Sequence, residues 1–162
     1  KANILKRVSG LFLEVGREIA SEYPDLTVND RIIDNMCMQL VMYPERYDVI
    51  VTTNLFGDIL SHLGAGLVGG LGLVPGAIIG EDVAIFEAVH GSAPDIAGQG
   101  IANPSALLQS AIMMLRHLKL TEAADRIETA LFKTLAQPDK VTRDLKGLAS
   151  TEEFAQNVIA NL

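Results

Sequence analysis

Apolar residues return every three or four positions along the first part of the chain. Ile4, Val8, Leu11, Val15 and Ile19 keep this spacing, while Lys6, Arg7, Glu14, Arg17 and Glu18 fall mostly elsewhere. The pattern predicts an amphipathic helix over residues 3–23, ended by Tyr23-Pro24-Asp25. Leu26-Thr27-Val28 is a short strand candidate. Asn29 or Asp30 can cap a second helix reaching about Met42, with Ile32, Ile33, Met36, Leu40 and Val41 apolar and Pro44 as its stop. The β-branched run at 48–53 reads as a buried strand. A third helix is expected over 55–67, turns over 69–80, a strand over 84–89 and a loop over 91–103. Pro104 suits the first position of a helix reaching His117, and Thr121 can cap the next, over 122–136. A short extended piece over 140–144 follows. Ser150-Thr151-Glu152-Glu153 then has the form of a helix start, for a last helix to about Asn161. Helices alternating with strands predict the α/β class with a mostly central sheet.

Composition narrows the possibilities. A chain of 162 residues can bury one real core. Its formal net charge of -7 lacks the basic footprint of non-specific nucleic-acid binding, so no nucleic-acid partner is expected. Cys37 is the single cysteine, which rules out an internal disulfide and suits a reducing compartment; between Met36 and Met38 it reads as a small core hydrophobe. Residues 59–80 carry no formal charge with His62 neutral and are long enough to span a bilayer, but seven glycines and Pro75 fit a packed segment followed by turns, so no membrane span is expected. The chain opens with Lys1-Ala2-Asn3 directly before a helical pattern, which leads us to expect the rear portion of something longer.

Three places can carry chemistry. Asp58 and His62, four apart, share one helix face, and Asp34 lies on the preceding helix. Two carboxylates suit Mg²⁺ or Mn²⁺, and an imidazole in the set shifts the preference toward Mn²⁺ or a softer ion. The competing reading is that Asp58 only complements the helix dipole. In Glu87-Ala88-Val89-His90-Gly91-Ser92-Ala93-Pro94-Asp95, a strand runs into small residues that permit close backbone approach to a ligand. Asp95 can accept from both hydroxyls of a ribose and would repel a 2′-phosphate. Taken alone, such a stretch is more often a structural turn, and the usual glycine fingerprint of dinucleotide sites is missing: Gly70-Leu71-Gly72-Leu73-Val74 ends in Pro75. Lys1 is a general acid or base if held beside other charges, and otherwise a solvated terminal charge. Arg116 and His117 suit a helix C-terminus, and Tyr23, Tyr43 and Tyr47 read as packing residues. There is no nucleophile elbow, zinc spacing or P-loop.

The central stretch resembles a known family. Asn54-Leu55-Phe56-Gly57-Asp58-Ile59-Leu60-Ser61, Gly69-Gly70-Leu71-Gly72 and Phe86-Glu87-Ala88-Val89-His90-Gly91-Ser92-Ala93-Pro94-Asp95-Ile96-Ala97-Gly98 carry the likeness. Ile101-Ala102-Asn103-Pro104, Met113-Met114-Leu115 and Thr142-Arg143-Asp144-Leu145 extend it over nearly the whole chain. These segments resemble the decarboxylating β-hydroxyacid dehydrogenases, the isocitrate and isopropylmalate dehydrogenase family, and most of all its NAD-dependent isocitrate dehydrogenases. The resemblance implies that family's three-layer α/β fold, here incomplete and confined to the C-terminal half. About residues 1–50 would come from the small, dimerising region and about 51–162 from the large nucleotide-binding region.

Roles follow from the resemblance, residue by residue. Lys1 matches the catalytic lysine that handles the substrate hydroxyl proton. Asp34 and Asp58 match metal-ligating aspartates, and His62 stands where the family has a third. Lys1 and Asp34 would reach into the partner subunit's site, which implies a homodimer or higher oligomer. Glu87, His90 and the loop Gly91, Ser92, Ala93, Pro94, Asp95 and Ile96 match the dinucleotide site, and Asn103 matches an adenine contact. Asp95 stands where NADP-using relatives commonly carry a lysine, which implies NAD.

The implied activity is Mg²⁺- or Mn²⁺-dependent oxidative decarboxylation of isocitrate to 2-oxoglutarate with NAD reduction, a tricarboxylic acid cycle step. Isopropylmalate or homoisocitrate are alternative substrates within the class of 2-hydroxy tricarboxylates and dicarboxylates. His62 costs the site one negative charge, which also admits a non-catalytic, regulatory paralogue that binds nucleotide or a partner subunit. The substrate-clamping arginines and the catalytic tyrosine would lie in the missing front half, without which the sheet should show an open edge and an uncovered face. The expected compartment is the bacterial cytoplasm or the mitochondrial matrix.

Overall fold

A computed structural model describes all 162 residues. The chain forms two compact units, Lys1–Gly64 and Ala65–Leu162.

In the first unit, α1 spans Ser9–Ala20, α2 spans Ile33–Met42, a 3-10 turn covers Pro44–Arg46, and α3, Asn54–Val68, begins. The apolar periodicity before Ser9 does not extend α1 to Asn3. There the chain turns tightly, with the Ile4 and Leu5 amides both donating to the Lys1 carbonyl. α2 starts later than expected and without a side-chain cap. Asp30, a candidate cap, is instead tied to Arg17 Nη2 at 2.7 Å.

The strands expected at 26–28 and 48–53 are absent as paired elements. A β-branched segment becomes a strand only when a neighbour takes its backbone hydrogen bonds. None does here, and Val49 and Val51 stand 83% and 76% exposed. The apolar stripe of α1 is likewise open: Val8, Leu11, Val15 and Ile19 are all exposed.

The second unit closes on itself. Strand β1, Pro75–Ile79, pairs antiparallel with β2, Ala84–Ala88, in the register Pro75↔Ala88 to Ile79↔Ala84. This is the only sheet, so the expected central sheet is reduced to one hairpin. β1 lies inside the stretch read as turns. Pro75 and Gly76 look like turn punctuation, yet both fit the strand. Pro75 opens it, where a missing N–H is tolerated. Gly76 is needed because a Cβ there would lie 3.0 Å from the Glu87 carbonyl oxygen.

Helices α4, Ser105–His117, α5, Thr121–Leu135, and α6, Thr151–Ala160, complete the unit. α4 packs on the hairpin, α5 on α4, and α6 on α5. Ser110 of α4 joins both strands: its Oγ donates to the Glu87 carbonyl at 2.6 Å and accepts from the Gly76 amide at 3.3 Å. Ile112, Ala124, Ala130, Leu131, Val141, Ala149, Phe154 and Val158 form the core, with Leu131 and Phe154 fully buried. Each of those two large side chains contributes about 2–3 kcal/mol by leaving water.

Element ends here are set by local chemistry. The capping box at Ser150 forms as its sequence implies, with Ser150 Oγ accepting from the Glu153 amide and the Glu153 carboxylate accepting from the Ser150 amide. Pro104 precedes α4 rather than opening it, and Leu120, not Thr121, is the residue before α5. Residues 140–144 form no strand, although the Thr142 backbone is extended. They enter a 3-10 turn, Arg143–Leu145, that closes with Lys146 at φ 67°. Cys37 is half-buried rather than a core residue. No helix is long and apolar enough to cross a membrane.

Candidate functional site

Two groups of candidate residues lie in separate units, and each has its own geometry.

In the first unit the turn at the start of the chain folds Lys1 back toward α2. Its Nζ sits 2.8 Å from Asp34 Oδ2, with the lysine side chain 24% exposed and the aspartate 67%. Asp34 lies in the first turn of α2, where the helix dipole favours an anion. The hydrogen bond from Lys1 holds the Asp34 carboxyl below its ordinary 3.8, against a smaller opposing effect of desolvation.

Asp58 and His62 occupy successive turns of α3, as their spacing implies. Their mutual contact runs through the backbone. His62 Nδ1 lies 2.9 Å from the Asp58 carbonyl oxygen, which can only accept, so Nδ1 carries the proton. That leaves Nε2 with its lone pair free in the neutral ring, the form a metal needs. The Asp58 carboxylate makes no hydrogen bond or ion pair, and both residues are exposed. In chemical kind the donors suit a hard divalent cation: two carboxylates and one imidazole nitrogen. No three of them converge within this chain.

In the second unit the loop after β2 carries the other group. Glu87 projects from β2, and its backbone is held on both sides by Gly76 and Ser110. His90 Nδ1 donates to the Gly91 carbonyl at 3.0 Å. Gly91 and Ser92 are exposed, and Ala93 sits in the left-handed region at φ 42°. That reversal opens the 3-10 turn Pro94–Ile96, closed by the Ile96 amide on the Ala93 carbonyl and by Gln99 Nε2 on the Asp95 carbonyl at 2.8 Å. The Asp95 backbone is thus fixed while its carboxylate, exposed, has no partner. A turn fixed in this way and presenting a free carboxylate supplies the acceptor that the two hydroxyls of a ribose diol require, so the loop fits the ribose end of a dinucleotide.

Asn103 closes the loop and is nearly buried, 8% exposed. Its Oδ1 accepts from the Ser105 amide at 2.9 Å, starting α4, and its Nδ2 donates to Asp144 Oδ2 at 2.9 Å. The other carboxylate oxygen of Asp144 accepts from Thr142 Oγ1 at 2.5 Å. The Asn103 side chain is therefore engaged internally, whereas its main-chain N–H and C=O bond to nothing in the chain. Thr151 anchors the same segment, its amide on the Gly100 carbonyl and its hydroxyl on the Ala102 carbonyl.

Sequence reasoning did not assign Asp144, Thr142, Ser110 or Thr151 to the site. They reach the loop from distant elements, and Asp144 pairs with Asn103 across 41 positions, where no local spacing gives a signal. Only for Thr142 and Asp144 was there a hint, in the Thr142-Arg143-Asp144-Leu145 likeness.

Known proteins match the whole chain. The family model described as isocitrate/isopropylmalate dehydrogenase aligns with residues 1–158. A mitochondrial NAD isocitrate dehydrogenase catalytic subunit of Arabidopsis thaliana is 54% identical over all of this chain and 44% of its own length. A 3-isopropylmalate dehydrogenase of Archaeoglobus fulgidus is 56% identical over all of this chain and 49% of its own. The crystal structure of isocitrate dehydrogenase from Methylococcus capsulatus superposes with a TM-score of 0.93 at 57% identity, over 99% of this chain and 48% of that one. The chain spans a little under half the length of these relatives, so its single hairpin and open α1 face are parts of an incomplete α/β fold. On its sequence and its fold, this chain belongs to the isocitrate/isopropylmalate dehydrogenase family of oxidoreductases.

Proposed function

We propose that this chain works as part of an NAD-dependent enzyme that oxidises isocitrate and releases CO₂, giving 2-oxoglutarate. The observation that carries the reading is the Lys1–Asp34 contact at 2.8 Å. The residues whose family counterparts handle the substrate proton and ligate the metal meet from separate elements. Lys1 Nζ would exchange the hydroxyl proton of the substrate, and the Asp34 carboxylate would hold the ammonium in place between transfers. Asp34, Asp58 and the free Nε2 of His62 would hold Mg²⁺ or Mn²⁺. Because the three do not converge within one chain, the site would be completed across a homodimer, Lys1 and Asp34 serving the partner's site. Glu87, His90, residues 91–96 and Asn103 would bind NAD, with Asp95 accepting from the ribose hydroxyls and rejecting a 2′-phosphate. When bound, NAD would supply the hydride acceptor and the divalent cation would supply Lewis acidity toward the substrate.

About residues 1–50 would belong to the small, dimerising region and 51–162 to the large nucleotide-binding region. The mitochondrial relative supports a matrix location, and a bacterial cytoplasm fits the same chemistry. A second reading concerns the substrate. The isopropylmalate dehydrogenase of Archaeoglobus fulgidus is as similar as the isocitrate enzyme of Arabidopsis thaliana. The expected result for the full-length protein is Mn²⁺-supported NADH formation, fastest with isocitrate among isocitrate, isopropylmalate and homoisocitrate. Faster turnover of isopropylmalate or homoisocitrate would transfer the assignment to that acid. No turnover with any of them at saturating Mn²⁺ would favour a regulatory subunit.

A further inference from the structure

The tightest polar cluster around the loop is one that no catalytic step uses. Asp144 sits in a short turn far along the chain, and both of its oxygens are engaged, one by the Asn103 amide and one by the Thr142 hydroxyl. Asp144 itself is exposed, but Thr142 is fully buried, so the carboxylate is tied to the core through that hydroxyl. The core residue Val141 precedes it, and the turn closes through the Leu145 and Gly147 amides on the Thr142 carbonyl. On the other side Gly72 leaves just enough room: a Cβ there would stand 3.3 Å from Asn103 Cβ and 3.4 Å from Asp144 Oδ2.

The consequence falls on the Asn103 backbone. With its amide oxygen spent on the first turn of α4 and its amide nitrogen on Asp144, the side chain cannot rotate toward a ligand. Its main-chain donor and acceptor remain, adjacent and unpaired, at the end of the loop that carries Asp95. An adjacent N–H and C=O are complementary to the ring nitrogen and exocyclic amine of adenine. Their direction in space is set by the side-chain anchor.

We propose that Asp144 is a positioning residue for the adenine end of the dinucleotide: its carboxylate locks the Asn103 amide against the buried Thr142 hydroxyl, and so aims the Asn103 main chain at the base. The proposal rests on the reading of the loop as a nucleotide site, and the tests separate the two. In the full-length protein, binding of ADP-ribose and of nicotinamide mononucleotide is titrated separately, beside steady-state kinetics. Asp144→Ala is expected to weaken ADP-ribose binding and raise KM for NAD about tenfold, with kcat within about twofold and mononucleotide binding unchanged. Asp144→Asn should recover most of the loss, because its amide oxygen can still accept from Asn103 while its amide nitrogen donates to the Thr142 hydroxyl. Thr142→Val, which removes only the buried reference, should fall between wild type and Asp144→Ala, and it keeps the proposal testable if Asp144→Ala folds poorly.

Unchanged ADP-ribose binding by folded Asp144→Ala overturns the proposal. So does a drop in thermal midpoint and kcat with KM for NAD unmoved, the pattern of a merely structural carboxylate. If the wild type binds ADP-ribose but turns over none of the three acids, the proposed reaction fails and the positioning role stands. If it binds no ADP-ribose, both fall.

Discussion

The two units of this chain have similar apolar contents at their helix faces and opposite outcomes. In Ala65–Leu162, the apolar residues of α4, α5 and α6 meet one another, and Leu131 and Phe154 lose all contact with water. In Lys1–Gly64, a stripe just as regular on α1 stays largely exposed, and Leu11 is 60% exposed. Periodicity reports which face a helix needs to bury. It does not report whether the partner surface is in the same chain.

The sharpest test of that contrast is truncation on each side. Phe154→Ala should cost about 3–5 kcal/mol by leaving a cavity in the closed core, whereas Leu11→Ala should cost less than about 0.5 kcal/mol. Urea denaturation of the two variants measures the difference, and equal costs would mean that α1 is buried in solution. Hydrogen exchange gives the same comparison without mutation. Amides of α4 and α5 should be protected far longer than those of α1.

Gly147→Ala attacks the second unit through its backbone. An added Cβ would collide with the Val141 carbonyl group, so the turn must open, at a cost of about 1–3 kcal/mol. The thermal midpoint would register the loss. ADP-ribose affinity should fall with it, since the same turn carries Asp144.

Smaller effects sit at the helix ends. Ser150→Ala should cost about 1 kcal/mol by removing the α6 cap. The cap also has a pH signature. Hydrogen bonds from the Ser150 backbone first, and from its hydroxyl second, hold Glu153 below its ordinary 4.5. A carboxyl depressed in the folded state stabilises fully above the unfolded value. Its contribution is therefore complete above about pH 4.5 and is lost as pH falls through the folded value. The Lys1–Asp34 pair behaves likewise below the ordinary 3.8 of an aspartate. An acid titration of Ser150→Ala should consequently be shallower than that of the wild type near pH 4. The smallest effect is a gain. Lys119 adopts φ 63° just past α4, and Lys119→Gly should raise stability by up to about 1 kcal/mol, read as a higher urea midpoint.

The sequence by itself determined the helices and several of their ends. The 3.6-residue period located α1 to α6, and Ser150 through Glu153 specified a cap that forms as written, because capping and amphipathicity are properties of neighbouring residues. The family likeness of Asn54 to Ser61 and Phe86 to Gly98 was equally local, and it marked the stretches from which the site is built. What only the tertiary structure decided are the matters that depend on a distant partner. The β-branched run at 48–53 has strand chemistry but no strand to pair with, whereas Pro75 to Ile79, punctuated like a turn, is a strand because Ala84 to Ala88 lies beside it. Asn103 was marked by sequence as a contact residue. That its side chain is spent on Ser105 and Asp144, leaving only its backbone to a ligand, depended on a turn 41 positions away. Backbone groups and side-chain amides and carboxylates are satisfied by whichever group the fold brings within about 3 Å, and linear order does not encode that distance.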